Sequence, residues 1–213
     1  MSLWTSSLIS LLLLQSVQLQ AQQTNEDSNP AVSEERAGAS AEQPQRLAFK
    51  KRDHDLTRAY FDVYTILSDE NPCSSFYGGT RVATTVLNGF APLVKQDTLI
   101  REVSFQMIGR PRLVRDEATG RFYRFFDRTM VNRHGSFYQR RTDPWQKFPA
   151  DIGSFAPGSR QGRALILLHE LGHLIQDENG AWLLPDDGHN GVKSKANTLR
   201  VQEACRTQLE ALR

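Results

Sequence analysis

Two imidazoles and a carboxylate fall within one short stretch, His169-Glu170-Leu171-Gly172-His173. On an α-helix, residues four apart lie one turn apart on the same face, so both imidazoles can reach a single ion. Glu170 then points to the side of that pair, near enough to take a proton from water held by the ion. A zinc ion with two or three protein ligands and an open position lowers the pKa of its water to about 7. A neighbouring carboxylate can finish the deprotonation and later protonate a leaving amine. The expected chemistry is metal-assisted hydrolysis, with His169 and His173 as metal ligands and Glu170 as general base, then acid.

Those groups need a rigid carrier, and residues 164 to 176 read as a buried helix. Ala164, Leu165, Leu168, Gly172 and Ile175 fall near a common stripe. Ser159, after Pro157-Gly158, is the expected N-cap, and Asn179-Gly180 the expected stop, since both residues tolerate the left-handed conformation. Gly172 inside the helix costs roughly 1 kcal/mol against alanine, which implies close approach of another chain segment beside the metal. The competing reading is a pair of helix-surface histidines with no ion. Against it, two histidines and a glutamate inside so apolar a helix are expensive to bury without a shared task.

Around this helix the chain divides unevenly. Residues 1–21 read as a secretory signal, with an apolar run from Leu8 to Leu14 and Leu19-Gln20-Ala21 as cleavage site. That run is too short to span a bilayer as a mature helix, so no stable membrane insertion is expected after its removal. Residues 22–52 are rich in Gln, Glu, Ser, Ala and Pro and almost free of large apolar side chains. They read as a disordered leader or a propeptide. They hold no cysteine, which excludes a thiol plugged onto the metal. Lys50-Lys51-Arg52 is read as a solvated charge run, with a processing site as the alternative. Residues 53–213 then form one domain with room for a sizeable core. The formal net charge of +2 argues for neither nucleic acid nor an anionic membrane as partner.

Cys73 and Cys205 are the only cysteines and lie at opposite ends of the expected domain. In an exported chain they most simply form one disulfide, pinning the final helix to the start of the domain. The alternative makes Cys205 a metal ligand or a reactive thiol.

Between leader and metal helix, Tyr60 to Ile66 reads as a strand, or as a helix entering from Asp55. Asn71-Pro72 and Gly78-Gly79 bracket a loop carrying Cys73. Thr80 to Ala91 places Val82, Val86 and Phe90 at helical spacing and closes at Pro92. Ile100 to Ile108 alternates, with Val103, Phe105 and Met107 on one side. Arg110 to Arg115, Arg121 to Met130 and Gly135 to Arg140 continue as strands, separated by turns at residues 116–120 and 132–135. An antiparallel meander running into the metal helix is expected. The basic and aromatic run Arg121 to Phe126 is read as inward aromatics and solvent-facing arginines rather than a base-stacking surface.

On the HExxH helix and the strands before it, the chain resembles the zincin-type metallopeptidases. The resemblance implies zinc-dependent peptide-bond hydrolysis, with a sheet before the helix whose edge strand receives the substrate backbone. The metzincin extension is absent, because Gln176 and Asn179 stand where that pattern has glycine and histidine. The downstream candidates for third ligand are Asp186 and Asp187, then His189, then Glu203, the last following the gluzincin plan of a glutamate from a second helix. Asp186 is taken as third ligand, with His189 and Glu203 as the alternatives. The chain from Asn71 to Cys205 also resembles small exported bacterial HExxH proteins. It shares with them a cysteine near the domain start, a Pro-Asp turn, and the ending Asn197-Thr198-Leu199-Arg200-Val201-Gln202-Glu203-Ala204-Cys205. An oxyanion donor is expected among His189, His134 and Tyr138. Asn197 and Thr198 read as the N-cap and first turn of the last helix.

The expected molecule is an α+β, zincin-like domain: a small antiparallel sheet packed on the HExxH helix, with a disulfide-stapled helix at its C-terminus. The expected function is that of an exported zinc metallopeptidase, secreted or periplasmic, acting on peptide or protein substrates. The alternative function is an exported zinc-binding or non-catalytic interaction domain on the same frame.

Overall fold

The computed structural model describes residues 53–212, leaving out residues 99, 101, 142, 143, 145, 146, 148 and 189. The signal, the leader with Lys50-Lys51-Arg52, Trp145 and His189 lie outside the described residues.

Helix α1 (His54–Ser68) settles the ambiguity at Tyr60–Ile66 in favour of helix. Leu56, Ala59, Tyr60, Val63, Ile66 and Leu67 are buried at helical spacing, and the Asp53 side chain caps the start by accepting from the Leu56 amide. The expected loop around Cys73 contains a short helix instead, α2 (Pro72–Phe76). The Asn71 side chain and the Ser74 hydroxyl satisfy each other's backbone amides there. Helix α3 (Thr80–Phe90) follows as expected and ends in a 3-10 turn, Ala91–Leu93, at Pro92.

The strands do not form a meander. β1 (Val94–Asp97), β2 (Phe105–Ile108) and β5 (Arg128–Asn132) make a three-stranded mixed sheet in the order β1-β5-β2. β5 pairs parallel with β1 and antiparallel with β2. β3 (Arg112–Arg115) and β4 (Phe122–Phe125) form a separate antiparallel pair. The expected strand Arg121–Met130 is thus two strands broken at Phe126-Asp127, and the break sends its halves to different sheets. Gly135–Arg140 is not a strand. Its backbone closes into turns through the amides of Tyr138 and Gln139, both donating to the Gly135 carbonyl, while Phe137 enters the core.

Helix α4 (Arg160–Gly172) carries the His-Glu-x-x-His stretch and is capped by Ser159, whose side chain accepts from the Gly162 amide. Residues 164 to 169 are buried without a break, so this helix lies inside the core rather than on it. Leu165, Ile166, Leu168 and Leu171 are almost fully buried, each worth about 1.5–3 kcal/mol against exposure. Its chief neighbours are α1 and α5 (Gly191–Ala211), not the sheet. Arg160 holds both carboxylate oxygens of Asp62 on α1, and Tyr77 donates to the Leu168 carbonyl at 2.6 Å. The last helix begins earlier than the sequence suggests. Asn190 caps it through the Val192 and Lys193 amides, leaving Asn197 and Thr198 inside it. The disulfide Cys73–Cys205 joins α2 to α5 as expected. Among the described residues no helix is long and apolar enough to cross a membrane.

Candidate metal centre

Helix α4 stops at Gly172, well before Asn179-Gly180, and His173 is its C-cap. The next residues end it by pairing with a strand instead. Residues 174 to 176 run alongside β4: the Arg124 amide donates to the Leu174 carbonyl and the Gln176 amide to the Phe122 carbonyl. A tight reversal at residues 177–181 then turns the chain back on itself, and Leu183 donates to the Ile175 carbonyl. The returning strand brings Leu184 against the helix end, where its amide donates to the Gly172 carbonyl at 3.0 Å. A Cβ on residue 172 would lie 2.6 Å from Leu184 side-chain atoms. Gly172 is therefore where two chain segments meet, the close approach its place in the helix implied.

This return drops the turn Pro185-Asp186-Asp187-Gly188 beside the two histidines. The His169 and His173 Nε2 atoms are 3.1 Å apart. Asp187 Oδ2 lies 3.1 Å from the first and 3.7 Å from the second. These three atoms form the one group within reach of a single ion among the described residues. Asp186, the expected third ligand, is turned away and pairs with Arg124. Neighbouring residues of a tight turn aim their side chains differently, and the register of the return selects the second aspartate. Glu203 lies on the exposed side of α5 and is not part of the group.

The other ring nitrogens are also held. His173 Nδ1 faces the Leu184 carbonyl at 3.2 Å, and His169 Nδ1 faces the Thr198 hydroxyl at 2.9 Å. A carbonyl only accepts, so His173 carries its proton on Nδ1 and leaves the Nε2 lone pair to the centre. Thr198 is fully buried and is a site residue that the N-cap reading of Asn197-Thr198 missed. The signal was present in the spacing: Thr198, Val201, Gln202, Cys205 and Leu209 form one buried helical stripe. Asn197, next to it, donates to the Pro185 carbonyl and so steadies the Asp187 turn.

Charge at the centre is concentrated. Burial opposes ionisation of Asp187, but the two histidines outweigh it and hold the carboxyl well below the usual carboxylate range. Burial alone would lower the His173 pKa. The Asp187 carboxylate and the Glu170 charge overcome this and raise it above 6.5. Burial likewise raises the Glu170 carboxyl above its usual value; His169 and His173 pull the other way, and Asp187 adds to the rise.

Glu170, His169, His173 and Asp187 all line one cleft of about 730 Å3. Its lining also includes Phe105 and Met107 of β2, an edge strand of the mixed sheet. Of the expected oxyanion donors, His134 is exposed and Tyr138 donates to Asp53 at the start of α1. Neither lines the cleft.

No protein-family model, curated protein or solved structure matches this chain. The geometry of the cleft is therefore what bears on function.

Proposed function

We propose that this chain is an exported zinc-dependent peptidase whose metal is held by His169, His173 and Asp187, with Glu170 as general base. The observation that carries the proposal is the convergence of two imidazole Nε2 atoms and one carboxylate oxygen beside a glutamate in an open cleft. The donors suit the ion. Tetrahedral zinc with bonds of about 2.0–2.1 Å requires donors about 3.3 Å apart, and the three pairs stand at 3.1, 3.1 and 3.7 Å. Nitrogen and carboxylate donors together favour zinc over calcium or magnesium, which take oxygen.

When bound, the metal supplies Lewis acidity, polarising a carbonyl and easing deprotonation of water. The chain supplies the rest. Glu170 takes a proton at its carboxylate from the attacking water and returns it to the departing amine nitrogen. Its raised pKa suits both halves of that task. A site that only stored metal would gain nothing from a half-buried carboxylate next to the first donor. Among the described residues β2 pairs with β5 alone, so its outer edge offers backbone hydrogen bonds to an extended peptide, and Phe105, Met107 and Phe126 offer apolar contact along the cleft. The zincin-type reading is supported at this level: an HExxH helix, a third donor downstream and an edge strand among the elements lining the cleft. The partly parallel sheet departs from the antiparallel sheet that reading anticipated.

Metal analysis of the purified full chain tests the proposal. Wild type should carry about one zinc per chain, and His169→Ala should carry none. A wild type that binds no zinc overturns the reading.

Acid should release the ion. Binding requires a neutral His173, and Asp187 raises its pKa, so zinc competes with a proton beginning above pH 6.5. Affinity measured against a competing chelator should therefore fall as the pH drops through the raised His173 pKa, approaching about tenfold per unit for each proton released below it. A constant affinity across that drop would exclude His173 as a donor.

A further inference from the structure

Arg124 is the arginine whose placement departs most from the sequence pattern. The reading of residues 121–126 sends it to solvent, yet it is 8% exposed. Its guanidinium joins three parts of the chain. Nε donates to the His173 carbonyl at 2.6 Å. Nη1 donates to Asp186 Oδ2 at 3.3 Å, and Nη2 bonds the other oxygen of the same carboxylate. The group also lies over the Trp182 ring, 4.2 Å from its centroid. Its own amide donates to the Leu174 carbonyl.

One side chain thus touches the backbone of one candidate metal donor, His173, and the residue immediately before another, Asp187. Among the described residues, two other hydrogen bonds hold the backbone of the turn carrying Asp187. The Pro185 carbonyl accepts from Asn197, and the Asp187 carbonyl accepts from the Asn190 amide. Pro185, Asp186 and Gly188 are exposed or nearly so. Resting on the zinc-centre reading above, we propose that Arg124 and Asp186 form a clamp that positions Asp187 against His169 and His173. Arg124 is a positioning residue: it acts through the turn and the helix end.

The chemistry demands arginine. A planar fork can bond a carbonyl with one edge and both oxygens of a carboxylate with the other. A lysine ammonium is a point charge that cannot hold both at those angles. Arg160 and Asp62 make a similar fork, but theirs joins α4 to α1. The Arg124 fork bridges the two segments on which the candidate donors sit, adding side-chain bonds to the Leu184–Gly172 backbone contact.

Zinc affinity, measured by chelator competition on the full chain, tests the clamp. Asp186→Asn, Arg124→Lys and the double variant are compared with wild type, and cobalt(II) spectra are taken of each. Loss of a supporting contact of this kind typically weakens metal binding about 10–100-fold. That loss is expected for each single variant, with shifted cobalt bands, and the double variant should be no weaker than the weaker single. Asp186 has an exposed side chain but faces the buried Arg124 guanidinium, so its replacement should lower the melting temperature of the metal-free protein only slightly. A purely structural role predicts the reverse, a clearly lower melting temperature with affinity intact. Should Arg124→Lys fail to fold, Asp186→Asn weakens the same contact from the solvent side by removing the charge and one acceptor oxygen. Wild-type affinity and an unchanged cobalt spectrum in Asp186→Asn overturn the clamp while the zinc reading stands. A wild type without zinc overturns that reading and the clamp together.

Discussion

Glu170→Gln is expected to keep zinc bound and to lose hydrolysis by about 10²–10⁴-fold, the usual contribution of a positioned acid–base group. The two effects separate because Glu170 is not among the three converging donor atoms. The glutamine has nearly the same shape and can still hydrogen-bond water, but it cannot accept the proton. Burial already penalises the charge on Glu170, so the neutral variant should melt at or above the wild-type temperature. That direction follows from the rule that active-site charges are held at some expense of stability. Zinc content, melting temperature and cleavage of a quenched-fluorescent peptide library together read out the prediction. Lost zinc would make Glu170 a ligand or a ligand support. Unchanged cleavage would remove it from the mechanism.

The second large effect concerns the staple. Cys73 and Cys205 are 132 residues apart in sequence and both fully buried. Closing so long a loop stabilises by about 5 kcal/mol in the chain-entropy model, an upper figure. Cys73→Ala/Cys205→Ala should therefore lose several kcal/mol in urea unfolding. The measurement belongs in chelator, because bound metal adds stability of its own. The disulfide also has a local consequence. It fixes α5, and α5 presents Thr198 to His169, Asn197 to the Pro185 carbonyl, and Gln202 to the Ser154 amide beside the cleft. Zinc affinity should fall in the same variant even under conditions where it remains folded. A loss of less than about 1 kcal/mol would show that packing of α2 on α5 does the work of the bond.

Helix α4 and the pairing of its two histidines were legible because they are local. The spacing of His169 and His173, the apolar run around them and the Ser159 cap all act within a few turns of one helix. The disulfide was legible because two cysteines leave one intramolecular pairing. Helix α3 was legible from its periodicity and Pro92. The strands were legible as extended segments but not as partners. Alternation at Val103, Phe105 and Met107 says that one side faces inward, yet nothing local says that β2 pairs with β5 across Gly109 to Asp127. Pairing is decided by which sheet edges the core brings together, and here the parallel β1 takes the other side of β5.

The site shows the same division at finer scale. By itself the sequence determined that two imidazoles and a carboxylate share one helix, that the Pro-Asp-Asp turn lies downstream of it, and that Gly172 must meet another segment. Only the tertiary structure decided that the segment is Leu184, because that contact depends on a reversal anchored to β4. It decided between Asp186 and Asp187, which are chemically identical and one residue apart, by the register of the return. It turned Arg124 inward to hold Asp186, and it placed Thr198 behind His169 from a helix 29 residues further on. Spacing along a helix is set by covalent geometry and hydrogen bonds between near neighbours. Which distant side chain completes a centre is set by packing, and packing is a property of the whole chain.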